Sequence, residues 1–269
     1  MSETIVMKFG GAAVATPEHF KNIAEMIIAR LASVPRLVVV VSAMGKTTDQ
    51  LIDLARQVHP TPPQREYDML ISAGERISMS LLAMALCRVG QEAMSFTGSQ
   101  SGIITCSKHS QAQIIDVKPH RLADCLDQRK IAIVAGFQGV SREKEITTLG
   151  RGGSDTSAVA LGAALGASQV EFYKDVAGIF DQDPKQCPEA VCLPRLTYGQ
   201  ALDIVSQGAR ILHPRAIQLA AKNGLPLHVR SFIPSDQDTE GTWVHDADAL
   251  RRNPPLFEES PINLDKKFI

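Results

Sequence analysis

The chain has 269 residues, 44% of them hydrophobic, and its 28 Lys and Arg against 29 Asp and Glu give a formal net charge of −1. This length suits one or two domains with a full buried core, and the balanced charge without a basic block argues against a nucleic-acid-binding or a disordered protein. The longest apolar run near the amino terminus, Leu37–Val41, is far shorter than the roughly 20 residues of a membrane span, so we expect a cytoplasmic protein without a membrane partner.

The first elements follow one another as strand, helix and strand. Thr4–Phe9 is a short β-type run that ends at Gly10, and Thr16 followed by Pro17 is a typical helix start. Apolar residues then recur at steps of three and four, which predicts a helix face that packs on a sheet: Phe20, Ile23, Ala24, Ile27, Ile28 and Leu31. The nearly all-valine run Leu37–Val41 lacks alternation, as is typical of a parallel strand buried on both faces.

The alternation of strands and helices continues along the chain. Its predicted members are a helix at Glu75–Val89, a strand at Ile131–Ala135, a helix at Asp155–Leu165, a strand at Val170–Tyr173, a helix at Tyr198–Gln207 and a strand at Leu227–Val229. Thr197 with Gln200 forms a capping box before the last helix, and Gly208 is its stop signal. This order predicts an α/β fold, a three-layer αβα sandwich with a mainly parallel central sheet.

Two segments interrupt the pattern. His59–Pro63 is rich in proline, and because α/β patterning lies on both sides of it we interpret it as a loop within one domain. From about residue 245 the periodicity fails, so we predict one folded domain at residues 1–244 and a polar tail or packing arm at 245–269. Five cysteines without a C-x-x-C pair predict neither disulfides nor a zinc site, and we expect no metal-ligating set of side chains.

Glycines concentrate where predicted strands end: Gly10 and Gly11, Gly136 and Gly139, and Gly150, Gly152 and Gly153. In open α/β sheets these carboxyl ends form the ligand crevice, and glycine lets backbone N–H groups approach an anion closely. Lys8 and Arg151 stand beside two of the clusters with no obvious carboxylate partner nearby in the sequence. The combination favours a phosphate site over simple tight turns.

Two familiar nucleotide motifs are incomplete. Gly45–Thr47 resembles the end of a P-loop, but Val40 stands where that motif requires glycine. Gly150 and Gly152 fit the start of a dinucleotide fingerprint, but Asp155 occupies the place of its third glycine. A carboxylate beside phosphate-binding glycines suits phosphoryl transfer, in which lysine and Mg²⁺ offset the charge of the moving group.

Seven segments, in the same order, resemble the catalytic domain of aspartate kinases in the amino acid kinase superfamily: Lys8–Gly11, Val41–Asp49, Ser72–Glu75, Thr148–Thr156, Asp175–Phe180, Asp183–Lys185 and Gly208–Pro214. They cover roughly residues 4 to 243. The resemblance implies the amino acid kinase fold, a homodimer, and ATP with Mg²⁺ as cofactors. It also implies transfer of the ATP γ-phosphoryl group to the side-chain carboxylate of L-aspartate, which gives 4-phospho-L-aspartate.

The resemblance also implies a role for each matching residue. Lys8 and Asp155 are the implied catalytic residues: Lys8 neutralises the transferring phosphoryl group, and Asp155 organises Lys8 or the metal-bound phosphates. Arg151 is implied to hold the α-carboxylate of the substrate and Glu75 its ammonium. The other implied substrate contacts are Ser42, Thr47, Thr48, Gly152, Gly153 and Ser154. The implied nucleotide contacts are Lys8, Gly10, Gly11, Lys174, Asp175, Phe180, Asp183, Pro184, Lys185 and Arg210.

The chain departs from the family at several positions. Ala12 and Ala13 stand where hydroxyl residues are usual, so two contacts near the phosphates are expected to be missing. Four nucleotide-side residues also differ in type, which predicts a nucleotide site of altered detail: Lys174, Phe180, Lys185 and Arg210. Family members usually continue into paired ACT domains that bind lysine or threonine. This sequence shows a polar tail there, so we expect a kinase without lysine or threonine feedback inhibition.

Two other functions stay open at the level of sequence. A kinase that acts on a different carboxylate, phosphonate or carbamate would share the fold and the ATP site, although Arg151 with Glu75 suits an α-amino acid. A catalytically weak regulatory subunit that binds an amino acid or a nucleotide would explain Ala12 and Ala13. Retention of Lys8 and Asp155 argues for an enzyme.

Overall fold

The computed structural model describes residues 3–184, 186–187, 189–209, 211–236 and 239–258. Its strands are, in chain order, β1 (Thr4–Phe9), β2 (Arg36–Val41), β3 (Ala93–Phe96), β4 (Ile103–Thr105), β5 (Ile114–Val117), β6 (Ile131–Ala135), β7 (Gln138–Ser141), β8 (Ile146–Thr148), β9 (Gln169–Lys174), β10 (Arg195–Leu196), β11 (Leu227–Ser231) and β12 (Thr242–Val244). Eight of them form the central sheet in the order β10-β12-β11-β9-β1-β2-β6-β3. The strands from β3 to β11 pair in parallel, and β12 runs antiparallel to β11.

The helices are α1 (Pro17–Leu31), α2 (Thr47–Val58), α3 (Gln64–Ile71), α4 (Ala73–Arg88), α5 (His120–Asp127), α6 (Gly153–Ala164), α7 (Tyr198–Ser206) and α8 (Pro214–Asn223), with a short 3-10 helix at Pro234–Asp236. The run Gln64–Arg88, which contains α3 and α4, has 25 residues and could cross a membrane by length and composition alone. Core helices of soluble proteins pass the same test, so the run is weak evidence of a span.

The helices cover both faces of the central sheet. Ile5 and Met7 of β1 pack with residues of α1 and α4 in one apolar cluster. Val6, which points to the opposite face, packs with residues of α6 and α8 in another. Strands buried on both faces carry continuous apolar runs, as in β6 and in Leu37–Val41 of β2. The predicted three-layer αβα sandwich with a mainly parallel central sheet is therefore confirmed.

The predicted strands and helices lie within two residues of the expected bounds. The Thr16 hydroxyl caps α1 by accepting from the backbone N–H of His19, and Thr197 with Gln200 forms the capping box of α7. His59–Pro63 is a loop between α2 and α3, as expected.

A second, four-stranded sheet in the order β5-β4-β7-β8 was absent from the sequence prediction. Its strands have three or four residues each and no extended period that a sequence pattern could reveal. Ile103, Ile114 and Val117 bury their side chains in the same cluster as Val6. The small sheet therefore extends one core layer of the fold.

The described part of the carboxyl-terminal segment packs against the body. Leu256 exchanges two backbone hydrogen bonds of 2.8 Å with the Asn223 amide of α8, and Phe257 packs on an apolar cluster. The Arg251 guanidinium donates to the backbone oxygen of Ala167 at 2.6 Å. Residues 246–258 therefore form a packing arm on the body of the protein. The boundary at residue 244 stays a prediction.

Candidate functional site

Two lysines share one buried carboxylate at the carboxyl end of the central strands. Lys8 lies near the end of β1, and Asp155 lies in the first turn of α6, which packs over that strand. The Lys8 Nζ is 2.7 Å from Asp155 Oδ1, and the Nζ of Lys174, the last residue of β9, is 3.8 Å from Asp155 Oδ2. Because two ammonium groups face one carboxylate, the cluster has a surplus of positive charge where an anion can reach it.

The electrostatics of this cluster keep Asp155 ionised. Burial by itself raises the pKa of Asp155, but the ammonium groups of Lys174 and Lys8 outweigh it and lower the pKa to about 2. Burial lowers the pKa of Lys174 to about 8, although Asp155 partly offsets this effect. Lys174 is thus a cation at neutral pH that loses its proton more readily than an ordinary lysine.

A cavity of about 1360 Å³ opens beside this cluster, and Lys8, Gly11 and Asp155 line it. It brings together most of the residues assigned to the substrate: Ser42, Thr48, Glu75, Arg151, Gly152, Gly153 and Ser154. Thr47 lies beside the cavity at the start of α2, where its methyl group faces Gly74. Gly10 lies close to the Lys8 ammonium group: a Cβ atom at position 10 would be 3.6 Å from Lys8 Nζ.

Glu75 is a buried carboxylate with one free oxygen in the wall of this cavity. Its Oε1 accepts a hydrogen bond from the backbone N–H of Ala43 at 3.2 Å. Its Oε2 is buried and has no hydrogen-bond partner among the described residues. Burial raises the pKa of Glu75 to about 7, because the charged form is poorly solvated there. A ligand that donates hydrogen bonds, such as an ammonium group, would satisfy the free oxygen.

The loop that carries Arg151 is tightly fitted on one side. Gly152 has a φ of +70° and directly precedes α6. A Cβ atom on Gly152 would lie 2.0 Å from Cγ of His213, so the glycine backbone touches the imidazole ring. Arg151 itself is exposed and lines the cavity. The loop therefore presents a guanidinium that has no ion pair among the described residues, at the amino terminus of α6, where backbone N–H groups also favour anions.

Gly11 also marks a close approach of two loops. A Cβ atom there would lie 2.9 Å from the carbonyl oxygen of Ala43. Ala13 is buried in the apolar cluster beneath α1, whereas Ala12 is exposed. Of the two positions that lack a hydroxyl, position 12 is thus the more accessible to a ligand.

A second cavity of about 700 Å³ lies on the other side of the lysine cluster. It is lined by five residues assigned to the nucleotide: Lys174, Asp175, Phe180, Asp183 and Pro184. Apolar and glycine positions near α7 complete its wall, among them Ile204, Gly208 and Ile211. Lys185 and Arg210, which were assigned to the same site, lie outside the described residues. Asp155 lines the first cavity and Lys174 the second, so the contact between these two side chains lies between the two cavities.

Sequence reasoning missed a buried polar cluster next to the Arg151 loop. Asp68 of α3 is fully buried and accepts hydrogen bonds from His109 Nδ1 at 2.8 Å, the Ser110 backbone N–H at 3.0 Å and the Thr148 hydroxyl at 2.6 Å. Its partners are 41 to 80 residues away in the chain, so no local spacing points to them. Asp68 joins α3 to the small sheet that leads into the Arg151 loop.

Comparisons with known proteins identify the family of the chain. The model of the amino acid kinase family matches residues 3–231. The aspartokinase of Corynebacterium efficiens is 50% identical over 236 residues, which are 87% of this chain and 56% of that protein. The chain thus spans just over half the length of that curated relative.

Solved structures show the same fold. Aspartate kinase from Synechocystis has a TM-score of 0.81 at 44% identity, over 93% of this chain and 40% of that one. E. coli aspartokinase III, solved in complex with aspartate and ADP, has a TM-score of 0.81 at 24% identity, over 91% of this chain and 65% of that one, and supports the fold alone. Since the family match spans most of the sequence and the strand ends carry the clustered polar residues, the chain belongs to the amino acid kinase family.

Proposed function

We propose that the chain carries the catalytic site of an aspartate kinase, which transfers the γ-phosphoryl group of ATP to the side-chain carboxylate of L-aspartate. The observation that carries this proposal is the Lys8–Asp155–Lys174 cluster between the two cavities. A phosphoryl group moving from one cavity to the other would pass this surplus of positive charge. Similarity to aspartokinases supports aspartate as the acceptor.

The first cavity suits an α-amino acid. The Arg151 guanidinium can hold an α-carboxylate with two parallel hydrogen bonds, and the free Oε2 of Glu75 can accept from the ammonium. Ser42, Thr48 and Ser154 add hydroxyl groups to the same wall. A carbamate or phosphonate acceptor would leave the Glu75 carboxylate without a cationic partner, which favours an amino acid.

The reaction needs positioning and charge neutralisation more than proton transfer. A carboxylate oxygen of L-aspartate attacks the γ-phosphorus, a new O–P bond forms, and the bond from phosphorus to the bridging oxygen breaks. The electron pair leaves with ADP, and the other product is 4-phospho-L-aspartate. Because the attacking carboxylate is already ionised at neutral pH, no general base is required. Lys8 and Lys174 offset the charge of the moving group, and Asp155 holds both ammonium groups in place.

The second cavity is the proposed nucleotide side, with Lys174, Asp175 and Phe180 in its wall and Lys185 and Arg210 as further proposed contacts. The described residues hold no group of three or more carboxylates, imidazoles or thiols that could bind a metal alone. Mg²⁺ takes most of its ligands from phosphates and water, so it would need few protein ligands here, and Asp155 would act on the metal-bound phosphates through the two lysines that it holds. When bound, the metal neutralises phosphate charge.

We assign the catalytic unit to residues 1–244 and treat 245–269 as an arm that packs against it. The described part of the arm, up to residue 258, supports this division through its contacts with α8. The unit is proposed to act as a cytoplasmic homodimer. Light scattering on the purified chain measures the oligomeric state, and a monomeric mass would contradict the dimer.

The proposal is tested by ADP release from Mg·ATP with L-aspartate, and hydroxylamine traps the acyl phosphate as a hydroxamate. L-Glutamate and D-aspartate serve as controls. Turnover with L-aspartate alone is expected, and Arg151→Gln is expected to raise the KM for L-aspartate while the KM for ATP stays within about twofold. ATP binding without turnover on any amino acid would overturn the enzyme proposal and favour a regulatory subunit.

A further inference from the structure

Arg215, the second residue of α8, joins three parts of the chain through its guanidinium. It donates to the backbone oxygen of Leu149, which directly precedes the Arg151 loop. It also donates to the backbone oxygen of Ala112 at 3.0 Å. Two more hydrogen bonds, from Nε at 2.7 Å and Nη2 at 3.0 Å, reach the two carboxylate oxygens of Glu258. A planar guanidinium held on two sides in this way has a fixed orientation.

The loop that receives this contact closes on one turn hydrogen bond of its own, from the Gly153 N–H to the Gly150 oxygen at 3.0 Å. Gly150 and Gly152, on either side of Arg151, have φ values of +73° and +70°. Glycine loses more conformational freedom on folding than other residues, so contacts outside the loop add to the order that this turn supplies. On one side the His213 ring touches Gly152. At the loop entrance the Arg215 guanidinium holds Leu149.

Glu258 belongs to the carboxyl-terminal arm, which sequence analysis left without a function. Its side chain is 12% exposed, and its Oε2 also accepts from the Ile114 backbone N–H of the small sheet at 2.9 Å. The carboxylate is therefore placed between the small sheet and α8. Removal of its charge would leave the largely buried Arg215 cation without its counter-ion and free the guanidinium to move.

We infer that Glu258 is a positioning residue for substrate binding that acts through Arg215, which also lines the amino-acid cavity. Glu258 orients Arg215, Arg215 holds Leu149, and Leu149 sets the entrance of the loop that places Arg151 in the amino-acid cavity. The arm is thus part of the substrate site although it does not line the cavity. The role in binding rests on the proposed function, whereas the ordering of the loop does not.

The test compares three forms of the full chain: the unchanged sequence, Glu258→Gln and Arg251→Gln. Arg251→Gln is the matched control, because Arg251 anchors the same arm at Ala167, away from the Arg151 loop. Hydrogen exchange measured by mass spectrometry reports the peptide that spans residues 147–155. Kinetic assays give the KM values for L-aspartate and ATP. Arg215→Lys is a second variant, because lysine keeps the charge and loses the fork of donors.

Glu258→Gln and Arg215→Lys are expected to accelerate exchange at 147–155 by roughly fivefold or more and to raise the KM for L-aspartate roughly tenfold, with the KM for ATP nearly unchanged. Arg251→Gln should leave that peptide at its original rate. Unchanged exchange in both test variants, or equal acceleration in the control, would overturn the inference. Accelerated exchange in a chain that never phosphorylates L-aspartate would instead keep the loop-ordering role and refute the proposed function.

Discussion

Lys8 and Lys174 both contact the Asp155 carboxylate, so we expect the negative charge of Asp155, more than its shape, to determine its contribution to catalysis. In Asp155→Asn two buried ammonium groups would face each other without a counter-charge, and their positions would no longer suit a phosphoryl group. We expect kcat to fall about 10²–10³-fold, the loss typical of a removed electrostatic contact in an active site. Asp127→Asn, which alters a surface ion pair with Arg36, is the control. A kcat within threefold of the original would contradict the assignment.

Glu75 gives the site a pH dependence because its carboxylate must be ionised to bind an ammonium group. With a pKa of about 7, the ionised fraction falls about tenfold for each unit of pH below that value. We therefore expect the KM for L-aspartate to rise as pH falls from 7 to 5.5 and to level off above about pH 8. Glu75→Gln should raise this KM at neutral pH and flatten its pH profile. A profile that is identical in the variant would assign the ionisation to another group.

Glu75 also makes the stability of the ligand-free protein depend on pH, and its contribution decreases as the pH rises. Its folded pKa of about 7 lies above the ordinary value of 4.5, so the folded state holds the proton more tightly than the unfolded state. Its contribution is fully present below about pH 4.5 and is lost as pH rises through 7. Binding of an ammonium ligand to the ionised group opposes this loss at higher pH.

The start of α6 depends on Gly152 for two reasons: its positive φ and the close approach of the His213 ring. A pair of substitutions can distinguish them. Gly152 and Gly166, which precede and follow this helix, have similar φ values of +70° and +61°. A Cβ atom would collide with His213 at Gly152 and would meet nothing within 4 Å at Gly166. We expect Gly166→Ala to lower the free energy of unfolding by about 1 kcal/mol and Gly152→Ala by about 2–4 kcal/mol. Urea denaturation measures both, and equal losses would show that φ alone decides.

The link between α3 and the small sheet depends on one buried carboxylate. In Asp68→Asn the new amide group would face donors at Ser110 and Thr148, so at least one of them would lose its acceptor. We expect the free energy of unfolding to fall by about 3 kcal/mol. Asp53→Asn, at an exposed position of α2, is the matched control. Equal denaturation midpoints for the two variants would mean that the Asp68 cluster adds no stability.

The sequence was sufficient to predict the elements whose own residues determine them. A strand buried on both faces is mostly apolar, so the apolar runs of β2 and β6 predict these strands directly. Thr16 with Pro17 predicts the start of α1 from local chemistry alone. The strand β4 pairs with β5, about ten residues later in the chain, and with the more distant β7. Strands β4 and β5 carry β-branched residues, but they are only three and four residues long, too short for a periodic pattern, and for that reason they escaped prediction.

In the candidate site, too, some residues could be predicted from the neighbouring sequence and others only from the fold. Lys8 and Asp155 lie in glycine-rich segments typical of phosphate sites, so each could be predicted as a site residue from its neighbours in the chain. Asp68 and Arg215 bind partners across the fold: Leu149 is 66 residues from Arg215, and Glu258 is 43 residues from it. Such contacts exist because separate segments meet in three dimensions. No local pattern in one sequence encodes them.

The whole molecule is expected to unfold in one step, because both sheets share a core. Ile103 and Ile114 of the small sheet pack in the same cluster as Val134 of the central sheet. Trp243, the single tryptophan, stacks on His228 at 3.9 Å and reports on the β11–β12 edge, whereas far-ultraviolet circular dichroism reports on all helices. The two signals should change at the same urea concentration. A separate fluorescence transition would show that this edge unfolds independently.

The position of β1 between β2 and β9 also affects the order in which the sheet can be completed during synthesis. β2 follows β1 closely in the chain, but β9 ends at Lys174. At about 5–20 residues per second, a ribosome needs on the order of ten seconds or more to extend the chain from β1 to β9. During that interval one edge of an apolar strand has no partner from its own sheet. The strand that carries Lys8 therefore presents an unpaired apolar edge that a chaperone can cover while the chain is being made.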